Sequence, residues 1–154
     1  MTNPIEAKLQ ELGYTLPDAP APAANYVPYV QVGNTLFVSG QIAKDGDTML
    51  NGKLGDDTDV AAGQRAAKVC ALNLLAQVKA ACDGDLSRLK RVVRLGGFVN
   101  CTPEFTDHPA VINGASDFFG EVLGAAGQHA RAAVGSSSLP FGVSVEIDGI
   151  FELS

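Results

Sequence analysis

The chain has 154 residues, of which 46% are hydrophobic and 18% charged, and its formal net charge is −6. This length fits one domain, the composition excludes wholesale disorder, and the acidic balance argues against a general nucleic-acid binder. No window is apolar enough for a membrane span or a signal peptide. The three cysteines (Cys70, Cys82 and Cys101) lack CxxC spacing. Their odd number and their spacing favour reduced thiols over a disulfide framework, and we expect a cytoplasmic protein.

The N-terminal part is predicted to be a short helix, a connector and a hairpin. Asn3-Pro4-Ile5-Glu6 has the capping-box pattern of a helix start, and Gly13 ends the helix. Residues 16–24 hold three prolines and four alanines, which is typical of an extended connector. Gly33-Asn34 then forms a two-residue turn between strands at residues 26–32 and 35–42.

Two long helices and three more strands follow a loop at residues 44–57. The first helix is capped by Asp57 or Thr58. Its apolar stripe consists of Ala67, Cys70, Leu74, Val78 and Cys82. The second helix opens at Asp107-His108-Pro109. The strands are predicted at residues 89–99, 131–137 and 143–153, and the turn 139–142 joins the last two.

The element order α-ββ-α-β-α-ββ, with hairpins at both ends, favours an α+β fold in which two helices cover one face of a mixed sheet. In the last strand, one side is predicted to carry Val143, Val145, Ile147 and Phe151, and the other Ser144, Glu146, Asp148 and Glu152. The second, polar face must meet solvent or another subunit.

Most catalytic motifs are missing from the sequence. The two histidines, His108 and His129, have no metal-ligand spacing, so we expect no metal and no cofactor. Ser136-Ser137-Ser138 has no GxSxG frame, and no GxxxxGK[ST] phosphate loop occurs. The four cations between residues 88 and 94 have no interleaved aromatic residues, which favours a solvated helix–strand junction over a nucleic-acid patch.

Arg131 is the remaining candidate, because it lies in the small apolar segment Ala130-Arg131-Ala132-Ala133-Val134. A guanidinium in such a strand needs an anionic partner, and its planar fork matches a carboxylate. That partner is either a ligand or an internal carboxylate, Glu146 or Asp148, on the strand predicted to be adjacent.

Several segments together resemble the YjgF/RidA/L-PSP (reactive intermediate deaminase) family. The residues around Arg131, the Ser138-Leu139-Pro140 turn and Val145-Glu146-Ile147 resemble its C-terminal signature. Pro28-Tyr29-Val30-Gln31 and Ser39-Gly40-Gln41-Ile42 are similar to its N-terminal hairpin. Further matches are Gln64, Asn73, Phe105, Asn113 and Phe119.

The resemblance implies a RidA-like domain at residues 22–154, preceded by an extension at residues 1–21. It implies a chorismate-mutase-like homotrimer with sites between subunits, which hydrolyses enamines and imines such as 2-aminoacrylate to 2-keto acids and ammonia. Arg131 would then hold the substrate carboxylate and Glu146 would activate water. Tyr29, Ser39 and Asn113 would bind substrate.

Two departures from the family pattern point to a divergent subgroup. Gln128-His129 replaces the proline that usually precedes the Ala-Arg pair, and Ala133 replaces a common cysteine. His129 and Arg131 are two residues apart on one strand, so we expect both to face the substrate.

The leading hypothesis is therefore an enamine/imine deaminase. The alternative is a non-catalytic trimer that binds small carboxylates, and endoribonuclease activity, which also occurs in the family, ranks third because of the acidic charge.

Overall fold

The computed structural model describes residues 3–22 and 24–154, so residues 1 and 2 of the predicted extension and Ala23 of the predicted connector lie outside it. The helices are α1 (Pro4–Glu11), α2 (Val60–Ala81) and α3 (His108–Leu123). The strands are β1 (Tyr29–Val32), β2 (Thr35–Ile42), β3 (Lys44–Asp45), β4 (Thr48–Met49), β5 (Leu89–Asn100), β6 (Ala130–Ser136) and β7 (Val145–Leu153). The α+β order is as predicted, except that the expected loop contains the small hairpin β3–β4.

The main sheet has the strand order β1-β2-β7-β5-β6. The pairing of β5 with β6 is parallel and the other pairings are antiparallel. The predicted C-terminal hairpin of β6 and β7 is therefore wrong, because β5 lies between these strands. The helix α3 carries the chain from β5 to a parallel neighbour, as crossovers do. The chain then returns to the central position with β7.

The helices α2 and α3 cover one face of the sheet, as predicted. The α2 stripe is buried as expected, and Cys70 lies fully inside the core. At the contact between the helices, Gln64 Nε2 donates to the Ala110 carbonyl at 2.9 Å. A Cβ atom on Gly114 would lie 2.1 Å from the Gln64 carbonyl oxygen, so only glycine permits this approach.

The cap of α2 differs from the prediction. The side chain of Asp59 accepts a hydrogen bond from the Ala62 N–H at 2.8 Å and so caps the helix. Asp57 instead accepts from the Lys53 N–H and the Thr58 hydroxyl, which fixes the turn before the helix.

The helix α1 begins with the predicted capping box. Asn3 Oδ1 accepts from the Glu6 N–H at 2.9 Å, and Asn3 Nδ2 donates to the Glu6 carboxylate at 3.2 Å. Leu9 is buried in the main core, and Glu6 forms an ion pair with Lys79 of α2. The extension thus packs on the same core as the rest of the chain.

The second face of the sheet is open and more apolar than predicted. Glu146, Asp148 and Glu152 lie on it. Ser144 does not, because it is buried, and its hydroxyl donates to the Leu50 carbonyl. Four large apolar side chains are also exposed along this face: Val30, Val32, Phe37 and Val134. An exposed apolar sheet face of this kind is typical of an interaction surface.

In the part of the chain that the structure describes, no helix has the length and apolar character needed to cross a membrane.

Candidate active site

The six predicted site residues fall into two groups. Asn113, His129 and Arg131 lie where α3 packs beside β6. The second group belongs to the β1–β2–β7 part of the sheet and comprises Tyr29, Ser39 and Glu146. The fold therefore places the predicted residues in two separate groups rather than in one.

Arg131 is held by α3. Its Nη1 donates to Ser116 Oγ at 3.0 Å, and its Nη2 donates to the Pro109 carbonyl at 3.2 Å. A guanidinium carries five N–H donors, so these two bonds leave three for a ligand. Among residues 3–22 and 24–154, no carboxylate lies within 4.0 Å of this guanidinium, so the internal pair with Glu146 or Asp148 is not formed.

His129 is on the same side of the chain as Arg131, as predicted. Its Nε2 lies 2.9 Å from Ser116 Oγ, and its Nδ1 lies 2.6 Å from the Gly127 carbonyl oxygen. Both ring nitrogens are therefore engaged by the protein itself. Ser116 connects the two predicted residues, and the sequence reasoning missed it.

Helical spacing could have indicated Ser116. Pro109, Asn113 and Ser116 are four and three residues apart on α3, so they share one stripe of the helix. The opposite stripe of α3 is apolar and buried, which fixes the rotation of the helix over the sheet. Asn113 is exposed on this polar stripe.

Glu146 lines an open cleft of ≈ 640 Å³ on the other side of the sheet. A Cβ atom on Gly40 would lie 2.8 Å from Glu146 Oε2, so the carboxylate rests directly against the backbone of β2. Burial raises the pKa of Glu146, and the negative charge of Asp148 raises it further. A raised pKa makes the Glu146 carboxylate a stronger base than a solvent-exposed glutamate.

The N-terminal connector forms one wall of this cleft. Residues 17 and 20–22 line it, together with Lys44 and Phe141. Gln77 on α2 holds the connector, because its Nε2 donates to the Pro20 carbonyl at 2.6 Å. This wall was not predicted from the sequence, because residues 17–22 and Glu146 are far apart along the chain.

Tyr29 and Ser39 do not line the cleft beside Glu146. The Ser39 hydroxyl donates to the Val27 carbonyl at 2.9 Å, and Tyr29 is half-buried against the core. Within one chain these residues therefore support the strands near the cleft.

One further polar pair lies near the candidate site. Cys101 Sγ is 3.4 Å from His108 Nε2, and a Cβ atom on Gly135 would clash with both. No group of three or more His, Cys, Asp or Glu side chains able to hold a metal occurs within the described residues.

Comparison with known proteins gives consistent results. The model of a family described as "YjgF/chorismate_mutase-like, putative endoribonuclease" matches residues 6–149. The chain is 51% identical over 152 residues to Protein TCP17 of Trypanosoma cruzi, covering 97% of this chain and 94% of that protein. It is 30% identical over 136 residues to 2-iminobutanoate/2-iminopropanoate deaminase of Dermatophagoides farinae, covering 87% and 90%.

Among solved structures, the protein Atu1372 of Agrobacterium tumefaciens, whose function is unknown, superposes with a TM-score of 0.92 at 55% identity. The match covers 98% of this chain and 93% of that chain.

Proposed function

The chain belongs to the YjgF/chorismate-mutase-like family, as the sequence resemblance predicted, and from this premise we propose that it is an enamine/imine deaminase. Its substrates would be small imines or enamines that carry a carboxylate, of the 2-aminoacrylate type, and its products 2-keto acids and ammonia. The observation that carries the proposal is the position of the Arg131 guanidinium. Ser116 and Pro109 accept two of its hydrogen bonds, and its other N–H groups remain for a ligand.

The chemistry needs one anchor and one base. Arg131 would bind the substrate carboxylate and so fix the position of the imine carbon. A water would add to this carbon while Glu146 accepts its proton. With the imine in its protonated form, this addition gives a neutral carbinolamine. Glu146 would then pass its proton to the nitrogen and accept the hydroxyl proton as the C–N bond breaks, which releases ammonia and the 2-keto acid. Glu146 would return this last proton to solvent. An imine carbon is already electrophilic, so this sequence requires no metal.

The site would be assembled from two subunits of a homotrimer. Arg131 and Glu146 lie on opposite faces of one sheet with β5 between their strands, so they cannot meet on one substrate within a chain. The exposed apolar residues of the open face supply a surface on which a second copy could pack. The half-site of Arg131 on one subunit would then face the half-site of Glu146 on the next.

The test is to couple the protein to a dehydratase that releases 2-aminoacrylate and to follow keto-acid formation. We expect acceleration over the free-solution reaction, and Arg131→Ala should abolish it. Arg131→Lys keeps the charge but not the fork and should retain only a small part of the activity. No acceleration by the wild-type protein would refute the proposal.

A second candidate is a trimer that binds small carboxylates without turnover. It is favoured because the contacts that hold the Arg131 guanidinium do not involve Glu146. The guanidinium could therefore bind a carboxylate without the proposed base. It predicts stabilisation by 2-keto acids in the absence of any catalysis, by about 2.7 kcal/mol at one hundred times the dissociation constant.

Endoribonuclease activity remains third. The cations at residues 88–94 are largely engaged, since Lys90 is paired with Glu152, Arg94 with Asp148, and Arg91 donates to the Gln128 carbonyl. RNA binding that survives physiological salt would reverse this ranking.

A further inference from the structure

A chain of hydrogen bonds runs from Arg131 through Ser116 and His129 to the backbone of Gly127. The Arg131–Ser116 bond is 3.0 Å, the Ser116–His129 bond is 2.9 Å, and the His129–Gly127 bond is 2.6 Å. The first three residues are half-buried, which shields the bonds from competition with solvent.

The donors and acceptors of this chain can be assigned. The Gly127 carbonyl can only accept, so His129 Nδ1 carries a proton. Nε2 of the neutral imidazole is then an acceptor for the Ser116 hydroxyl. Ser116 Oγ in turn accepts from Arg131 Nη1, because a guanidinium nitrogen can only donate. With a neutral imidazole, every bond in the series therefore has one donor and one acceptor.

We propose that Ser116 and His129 are positioning residues that orient the Arg131 guanidinium for a carboxylate ligand, and that His129 does not itself contact the ligand. The proposal rests on the carboxylate-binding role of Arg131. It replaces the expectation that His129 binds substrate, because both of its ring nitrogens are occupied within the chain.

The physical reason lies in the geometry of arginine. A guanidinium on a flexible stem samples many orientations, whereas bidentate recognition of a carboxylate requires one plane. Ser116 and the Pro109 carbonyl hold the two terminal nitrogens, and His129 fixes the direction of the Ser116 hydroxyl. Without His129, the hydroxyl can rotate and its hydrogen can point toward the guanidinium.

Two substitutions at position 129 separate this role from a general structural one. His129→Gln places an amide oxygen at the position of Nε2 and can still accept from Ser116. His129→Asn places an amide nitrogen at the position of Nδ1, so it can donate to Gly127 but cannot reach Ser116. We expect Ser116→Ala and His129→Asn to weaken pyruvate binding about tenfold. His129→Gln should recover most of the affinity that His129→Asn loses.

In the deaminase assay the same variants should raise KM with little change in kcat, since the anchor binds substrate and transition state alike. Ser87→Ala is the matched control, because the Ser87 hydroxyl bonds to Asp85 and not to this chain. Equal pyruvate affinity in the wild type and Ser116→Ala would overturn the proposal, as would equal losses in the two position-129 variants.

Nitrogen NMR provides a readout that does not depend on ligand or activity. We expect the wild type to show His129 protonated on Nδ1 and separate, slowly exchanging Nη signals for Arg131, which merge in Ser116→Ala. A His129 protonated only on Nε2, or a freely rotating guanidinium in the wild type, would overturn the proposal. If the wild type neither binds pyruvate nor turns over imines, the proposed function fails while these signals still decide the positioning role.

Discussion

Arg131 and Glu146 lie on opposite faces of the sheet. Arg131 pairs with the buried Leu95 in the parallel β5–β6 register, whereas Glu146 pairs with Phe98 on the open face. Strands in a sheet are about 4.8 Å apart, so the two residues are separated by two strand spacings as well as by the thickness of the sheet. Any site that uses both side chains on one ligand must draw them from two copies of the chain.

Two inactive variants should therefore complement each other. Arg131→Ala and Glu146→Gln should each be inactive alone. After the two proteins are mixed, unfolded and refolded together, about a quarter of the sites in random trimers should contain both functional residues. Deaminase activity should return to about that fraction of the wild-type value. No recovery in mixed trimers, verified by mass spectrometry, would contradict a shared site.

Substitution Gly40→Ala should impair Glu146 without unfolding the protein. The new methyl group would lie 2.8 Å from Glu146 Oε2, and the flexible carboxylate would move away. We expect kcat to fall about tenfold or more and the melting temperature to change by less than about 3 °C. Pyruvate affinity, which depends on Arg131, should stay unchanged, because the displaced carboxylate does not contact that guanidinium. A comparable loss of pyruvate affinity would refute this explanation.

Glu146→Gln should stabilise the protein at neutral pH. Burial, followed by the charge of Asp148, raises the pKa of Glu146, so the folded state binds this proton more tightly than the unfolded state does. Stability contributed by the group is thus lost as the pH rises from the unfolded pKa through the raised folded pKa. We expect the variant to melt about 2 °C higher at pH 7 and to match the wild type at a pH below both values. Thermal unfolding between pH 3 and 8 measures this, with Glu121→Gln on the exposed side of α3 as the control.

Phe37→Glu should disrupt assembly while leaving the fold intact. Phe37 is 44% exposed on the open face, where it pairs with Val30 and Ile150, so a charge there costs little in a monomer. In a subunit interface the same charge would be desolvated without a partner, at a cost of several kcal/mol. Analytical ultracentrifugation should show the wild type as a trimer and the variant as a monomer at micromolar concentration. A variant that stays trimeric would exclude this face from the interface.

Gly114→Ala should destabilise the fold by about 3 kcal/mol, since the added Cβ meets the rigid backbone of Gln64 at 2.1 Å. Gly120→Ala on the same helix is the matched control, because nothing lies within 4 Å of its Cβ position. That substitution should stabilise α3 by about 0.5–1 kcal/mol. Urea unfolding of both variants measures the difference, and a Gly114→Ala protein as stable as the wild type would show that the helices can separate.

The residues that decide local structure are readable from the sequence alone. The capping box of α1, the Gly33-Asn34 turn, the buried stripe of α2 and the alternation in β7 each depend on neighbours within a few positions, and each formed as predicted. Arg131 could be singled out for a related reason, because a cation within a short apolar strand needs a partner.

Strand partners, and with them the separation of Arg131 from Glu146, were decided only in the tertiary structure. The turn predicted at residues 139–142 suggests a hairpin of β6 and β7, yet β7 lies between β2 and β5. This strand order buries the apolar side of β7 beneath both helices. No local sequence pattern indicates that position. The strand order also separates Arg131 from Glu146 and gives Arg131 the support of Ser116 and His129. The sequence singled out Arg131 and Glu146 as candidates because their chemistry is local to each side chain, and the strand order determined that one chain does not bring them together.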